Sequence, residues 1–131
     1  MCIKFEGKLF KKGKYWPVCV PALDVYTQGK SKRDALAMIK EAVELLVDRK
    51  GFAVCVDPLL GNSFVLRAKQ PNDDRYLIAL MLKNQRAKHG LSLQEVADRL
   101  HVSKHGYAQY EQARAELLFR PRTPGGSCLQ F

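Results

Sequence analysis

The sequence predicts an α+β fold followed by a small all-helical module. Three observations carry this reading. Apolar residues alternate with period two near the start and again after residue 51, helical spacing occupies the stretch between, and from Arg75 onward only helical spacing is found.

The elements follow in order. Ile3, Phe5, Gly7 and Leu9 alternate with Lys4, Glu6 and Lys8, the pattern of a half-buried strand. Lys11-Lys12-Gly13-Lys14 supplies a turn, and residues 15–20 form the returning strand. Pro17 in that run has no N–H for a ladder, which implies a sheet edge or a bulge. Pro21 ends the strand, and residues 24–28 form a third. Ser31-Lys32-Arg33-Asp34 is a capping box opening a helix. Leu36, Ile39, Val43 and Leu46 make its core stripe, with Ala35, Ala42 and Met38 alongside, Lys40, Glu41, Glu44 and Asp48 towards solvent and Gly51 near a left-handed cap. Residues 52–56 and 63–67 then read as a hairpin, completing the order βββαββ.

Residues 69–74 are polar and contain Pro71, so they read as a linker between a domain at 1–70 and one at 75–120. In the second domain Leu77, Leu80, Met81 and Ala87 mark one helix, ending at His89-Gly90. Ser92-Leu93-Gln94-Glu95 is another capping box, opening a short helix with Val96, Ala97 and Leu100 facing inward. His101-Val102 makes a tight turn, and Ser103 caps a third helix with Tyr107 and Tyr110 on its buried side. Ala97 is small where the helices cross, and Val102 plugs the corner. So short a connection sets a crossing steep enough for the third helix to enter a DNA major groove. Lys104, His105 and Gln109 would then face bases, Gln pairing with adenine and Lys with guanine acceptors. Gln94, Ser103 and Arg114 would hold phosphates, which set register without reading sequence. Pro121, Pro124 and Gly125-Gly126 leave residues 121–131 as an irregular tail.

Composition narrows the function classes. The chain has 131 residues and a net charge of +9, with +6 of that within residues 1–70, so a polyanionic partner fits. No apolar run is long enough for a membrane span, and no signal-peptide block precedes the first strand, so a cytoplasmic protein is expected. Cys2, Cys19, Cys55 and Cys128 form no C-x-x-C pair, so reduced thiols and no zinc site are expected. Nuclease chemistry needs several carboxylates converging on metal. Asp24 is the main candidate on the strands, and one strand carboxylate does not build such a site, so no enzyme, metal or cofactor is expected.

Residues 92–114 resemble the Cro/repressor-type helix-turn-helix. The turn glycine usual there is replaced by His101, which tolerates a positive φ better than most residues, and Ala113 stands where glycine usually follows the third helix. Gly13-Lys14-Tyr15-Trp16, Pro21-Ala22-Leu23-Asp24, Thr27-Gln28-Gly29 and the helix from Ser31 to Ala42 together resemble the HicB antitoxin family. That resemblance covers about residues 5–46 and continues at Gln109-Tyr110-Glu111-Gln112. It implies a partial RNase H-like domain that covers a HicA-like mRNA interferase toxin, followed by a domain that represses its own operon at operator DNA. Tyr15 and Trp16, as aromatic anchors, and Asp24, Glu41, Glu44 and Asp48, as acids facing a basic toxin, are the candidate toxin contacts. A palindromic operator needs two recognition helices about 34–36 Å apart, so a homodimer or higher even assembly is expected. The alternative is a stand-alone regulator whose first domain dimerises or senses a ligand.

Overall fold

A computed structural model describes residues 3–113. Five strands, β1 (Lys4–Leu9), β2 (Trp16–Val20), β3 (Val25–Gly29), β4 (Val54–Pro58) and β5 (Ser63–Ala68), form one antiparallel sheet in the order β3-β2-β1-β5-β4. Between β3 and β4 runs α1 (Lys32–Val47), and α2 (Asp74–Lys88), α3 (Leu93–Leu100) and α4 (Lys104–Glu111) follow. The strands alternate as expected: Phe5, Gly7 and Leu9 point inward, while Lys4, Glu6 and Lys8 are exposed.

Pro17 does not lie at a sheet edge, contrary to the expectation, because β2 sits between β3 and β1. Phe10 donates to the Pro17 carbonyl at 3.1 Å, and the reciprocal bond is the one a proline cannot make. The β1–β2 ladder accordingly starts one residue further in, at Leu9 opposite Val18. The proline therefore takes the last rung, where a missing donor costs least.

Two glycines set the spacing of the layers. A Cβ on Gly7 would lie 2.0 Å from the ring of Phe64, its direct partner on β5, so that ring packs over bare backbone. A Cβ on Gly29 would lie 2.3 Å from the backbone nitrogen of Ala35. That close approach seats the first turn of α1 on β3. The helix starts at the predicted cap, with Ser31 Oγ accepting from Asp34 N at 3.0 Å, but the reciprocal half of the capping box is not made: Asp34 accepts from Lys30 N at 2.8 Å instead of from Ser31 N.

The face that α1 buries keeps Ile39 and Val43 of the predicted stripe but is shifted towards Ala35, which was expected beside it. Ala35, Ile39 and Val43 are buried, whereas Leu36 is half-buried and Leu46 is 54% exposed. Small Ala35 is selected by the closeness of β3, and a row four residues apart is narrower than the stripe the leucines suggested. The helix also ends earlier than Gly51: Asp48 takes the left-handed conformation at φ 52°, and Gly51 belongs to the following turn.

Residues 69–74, read as a linker, contain a single 3-10 turn (Pro71–Asp73) leading directly into α2 at Asp74. Asp74 Oδ2 accepts from Ile3 N at 3.2 Å, tying this turn back to the start of β1. Leu77, Ile78, Ala79, Leu80, Met81 and Leu82 are all buried, so the middle of α2 is enclosed on every side rather than amphipathic. Its far end clips the turn between β2 and β3. Asn84 donates to the Leu23 carbonyl at 2.9 Å, and Gln85 donates to Pro21 and Ala22. Apolar packing is continuous from the sheet through α2 to Val96, Ala97 and Tyr107. No helix among the described residues is long and apolar enough to cross a membrane.

Candidate nucleic-acid interface

The candidate interface is the pair α3 and α4, and each local feature has a sequence cause. Ser92 Oγ accepts from Glu95 N at 3.1 Å while Glu95 Oε1 accepts from Ser92 N at 3.1 Å, a reciprocal capping box. At the other end of α3, His101 adopts φ 58° and ψ 41°. This left-handed residue lets His101 N donate to Asp98 and Val102 N donate to Ala97, closing the helix. Ser103 then caps α4, its Oγ accepting from Gly106 N at 3.0 Å. Ala97 is fully buried at the crossing, as its size suggested, and Tyr107 fills the space beneath.

One element of the support was not foreseen. Glu111 is 7% exposed, the only buried charged residue among those described. Its carboxylate receives two bonds from Arg86 of α2, Nε at 2.7 Å and Nη2 at 3.1 Å. Arg86 Nη1 also donates to the Leu91 carbonyl at 3.1 Å. One guanidinium thus fastens α4 and the approach to α3 onto α2. The hydrogen bond to Glu111 is the chief reason the Arg86 pKa is raised, opposed by burial. Tyr107 lies on the same face of α4, and burial, then Glu111, pushes its phenol well above the ordinary tyrosine value. A signal was present in the sequence. Glu111 stands four residues after Tyr107, in line with the buried stripe, where a lone carboxylate needs a cationic partner.

The predicted base-reading residues share one surface. Lys104 and His105 are exposed at the start of α4, and Gln109 is half-exposed one turn on. Gln109 Nε2 lies 3.0 Å from His105 Nε2, so the two already form a polar pair on the helix surface. Ser103 is exposed and retains its hydroxyl proton for a phosphate after accepting the cap bond. Gln94 is exposed on α3, where it donates to Asp98 at 2.7 Å. Arg114 and the tail at 121–131 lie outside the described residues. The charge on this pair is nearly balanced: Arg99 and Lys104 stand against Glu95 and Asp98, with Glu111 neutralised by Arg86.

The candidate toxin contacts are not brought together. Tyr15 is 48% exposed just before β2, while the neighbouring Trp16 turns inward against the core. Asp24 lies in the turn before β3 with φ 55°, and Lys88 of α2 approaches it at 3.9 Å. Glu41 is exposed on α1, and Asp48 is exposed at its C-terminal cap. Glu44 is not simply solvated: it accepts from Val54 N at 3.0 Å and pairs with Lys40 at 2.9 Å, bracing α1 against the edge strand β4. Cys19 and Cys55 are free thiols, and no group of three metal-ligating side chains occurs among the described residues. Comparison with models of protein families, with curated proteins and with solved structures finds no match to this chain.

Proposed function

We propose that the chain is the antitoxin and autorepressor of a HicAB-type toxin–antitoxin pair. In this reading α3, its turn and α4 act as a Cro/repressor-type helix-turn-helix that reads operator DNA. The partial RNase H-like domain, to which residues 5–46 are similar, covers an mRNA-cleaving HicA-like toxin. Neither task involves turnover by this chain.

The observation that carries the reading is the turn. Two eight-residue helices are joined through three residues with a left-handed His101, and the second helix opens on exposed Lys104 and His105. Such a junction presents the first turn of α4 outward, as groove insertion requires. The balanced charge of the pair makes its sequence-independent attraction to phosphate weak, so affinity would come from two copies on a palindrome.

The test has two arms. In a gel shift with the DNA upstream of its own reading frame, the intact protein gives a discrete complex. Lys104→Ala and Gln109→Ala each weaken it by about 1–3 kcal/mol, or roughly 5- to 150-fold. In the second arm the product of the adjacent small reading frame co-purifies with the chain and degrades RNA only when the chain is withheld. A discrete DNA complex without such a partner would replace the antitoxin reading by a stand-alone regulator. Absence of both complexes would end the proposal.

A further inference from the structure

We infer that the open face of the five-stranded sheet binds single-stranded nucleic acid, at a site separate from α4. The inference does not depend on the proposed antitoxin role. Because α1 and α2 cover the face carrying Phe5, Leu9, Val20, Phe64 and Leu66, the opposite face is left bare among the described residues, and none of its outward side chains is fully buried. Cross-strand register builds a row on it: Tyr26 of β3 opposes Cys19 of β2, which opposes Lys8 of β1, which opposes Ser63 of β5. Tyr26 is 60% exposed and stands two strand spacings, about 10 Å, from Lys8. Phe10 continues the outward side of β1 and is 53% exposed, with Tyr15 on the rim near it.

Charge singles out the occupant. Lys4, Lys8, Lys11, Lys12 and Lys14 are exposed, and none takes part in an ion pair among the described residues. Of the two acids on this face, Asp57 is already paired with Arg67 at 3.1 Å, leaving Glu6 alone against the lysines. Phosphates complement that field. The rings decide between kinds of polyanion. Flat aromatic faces interleaved with lysines on an open sheet suit unstacked bases, which a duplex does not offer. An acidic protein partner would need a dry apolar centre, whereas here Lys8 and Glu6 occupy the middle strand, with Ser63 and a single apolar side chain, Val65, opposite them and Asp57 beyond Val65.

The probe is a fluorescein-labelled oligouridylate of about 12 nucleotides, within the range one such sheet covers. Anisotropy is read with the full chain at roughly 50 mM salt, where counterion release favours binding. Saturable binding is expected, and Tyr26→Ala and Phe10→Ala should each weaken it about tenfold. Lys8→Gln should lower the salt slope by about 0.7. Lys104→Ala, on α4, should leave this binding unchanged, which separates failure here from failure of the operator reading. All the substituted side chains are exposed, and circular dichroism melts matching the parent confirm folding. The inference is overturned by no saturable binding, by binding indifferent to both aromatic substitutions, or by equal competition from polyglutamate of matched charge.

Discussion

Glu111→Ala should loosen the whole helical module, and the size of the loss follows from the geometry of one ion pair. The substitution removes a carboxylate that is almost fully enclosed and that accepts two bonds from Arg86. Breaking a buried pair by deleting one partner costs about 3–5 kcal/mol, most of it the stranded charge of the other. Here the stranded side chain is Arg86, which is 25% exposed and keeps its bond to the Leu91 carbonyl. Water can therefore reach part of the guanidinium, and the expected cost falls to about 2–3 kcal/mol. For a chain of this size that lowers Tm by about 8–12 °C. Removing both partners, as Arg86→Met with Glu111→Leu, leaves no stranded charge and should cost less than Glu111→Ala alone. Thermal and urea unfolding of Arg86→Met, Glu111→Leu and the double variant close the cycle. A Glu111→Ala loss below about 1 kcal/mol, or strict additivity, would show that the pair does not hold α4 in place.

Three further outcomes follow from features already described. Gly7→Ala forces a methyl into the ring of Phe64 and should destabilise by about 3 kcal/mol in urea, with Phe64→Leu in the same chain recovering part of the loss. His101→Gly relieves a left-handed residue that is exposed and makes no core contact, so it should stabilise by about 0.5–1 kcal/mol in the same assay. Folding holds the Tyr107 proton more tightly than the unfolded chain does. Below pH ~10 that contribution is fully present, and above it stability should fall by about 1.4 kcal/mol per pH unit as only the unfolded chain ionises there. Tyr107→Phe should flatten the alkaline limb of a pH–stability curve by that one proton; an unchanged limb would contradict the burial of the phenol.

Strand alternation in Ile3 to Leu9, the N-cap at Ser31 and the capping box at Ser92 were legible because they depend on neighbours in the chain. The turn at His101 was legible for the same reason. What escaped was set by distant contacts. Nothing near Pro17 announces that β3 will lie outside β2 and make it an interior strand. Leu46 looks like core by its spacing, yet the narrow approach of β3 at Gly29 rotates α1 towards Ala35 and leaves Leu46 in solvent. Lys104, His105 and Gln109 lie on one helix, α4, as their spacing suggested, but the Arg86–Glu111 fastening joins positions twenty-five apart. Glu44 was misjudged for a similar reason, since the amide it serves belongs to a strand ten residues on.

The strand order also dictates how the chain reaches this state. The meander of β1, β2 and β3 and the hairpin of β4 and β5 each join neighbours through short turns, and both can form early. Only the pairing of Lys4 with Arg67 and of Lys8 with Ser63 welds these halves together. Closing that loop costs about 3–4 kcal/mol of chain entropy before any contact repays it. On a ribosome, β1 must wait with an unpaired flank until β5 has emerged. Throughout that interval the outer lysines of β1 are what discourage its edge from pairing with another nascent chain.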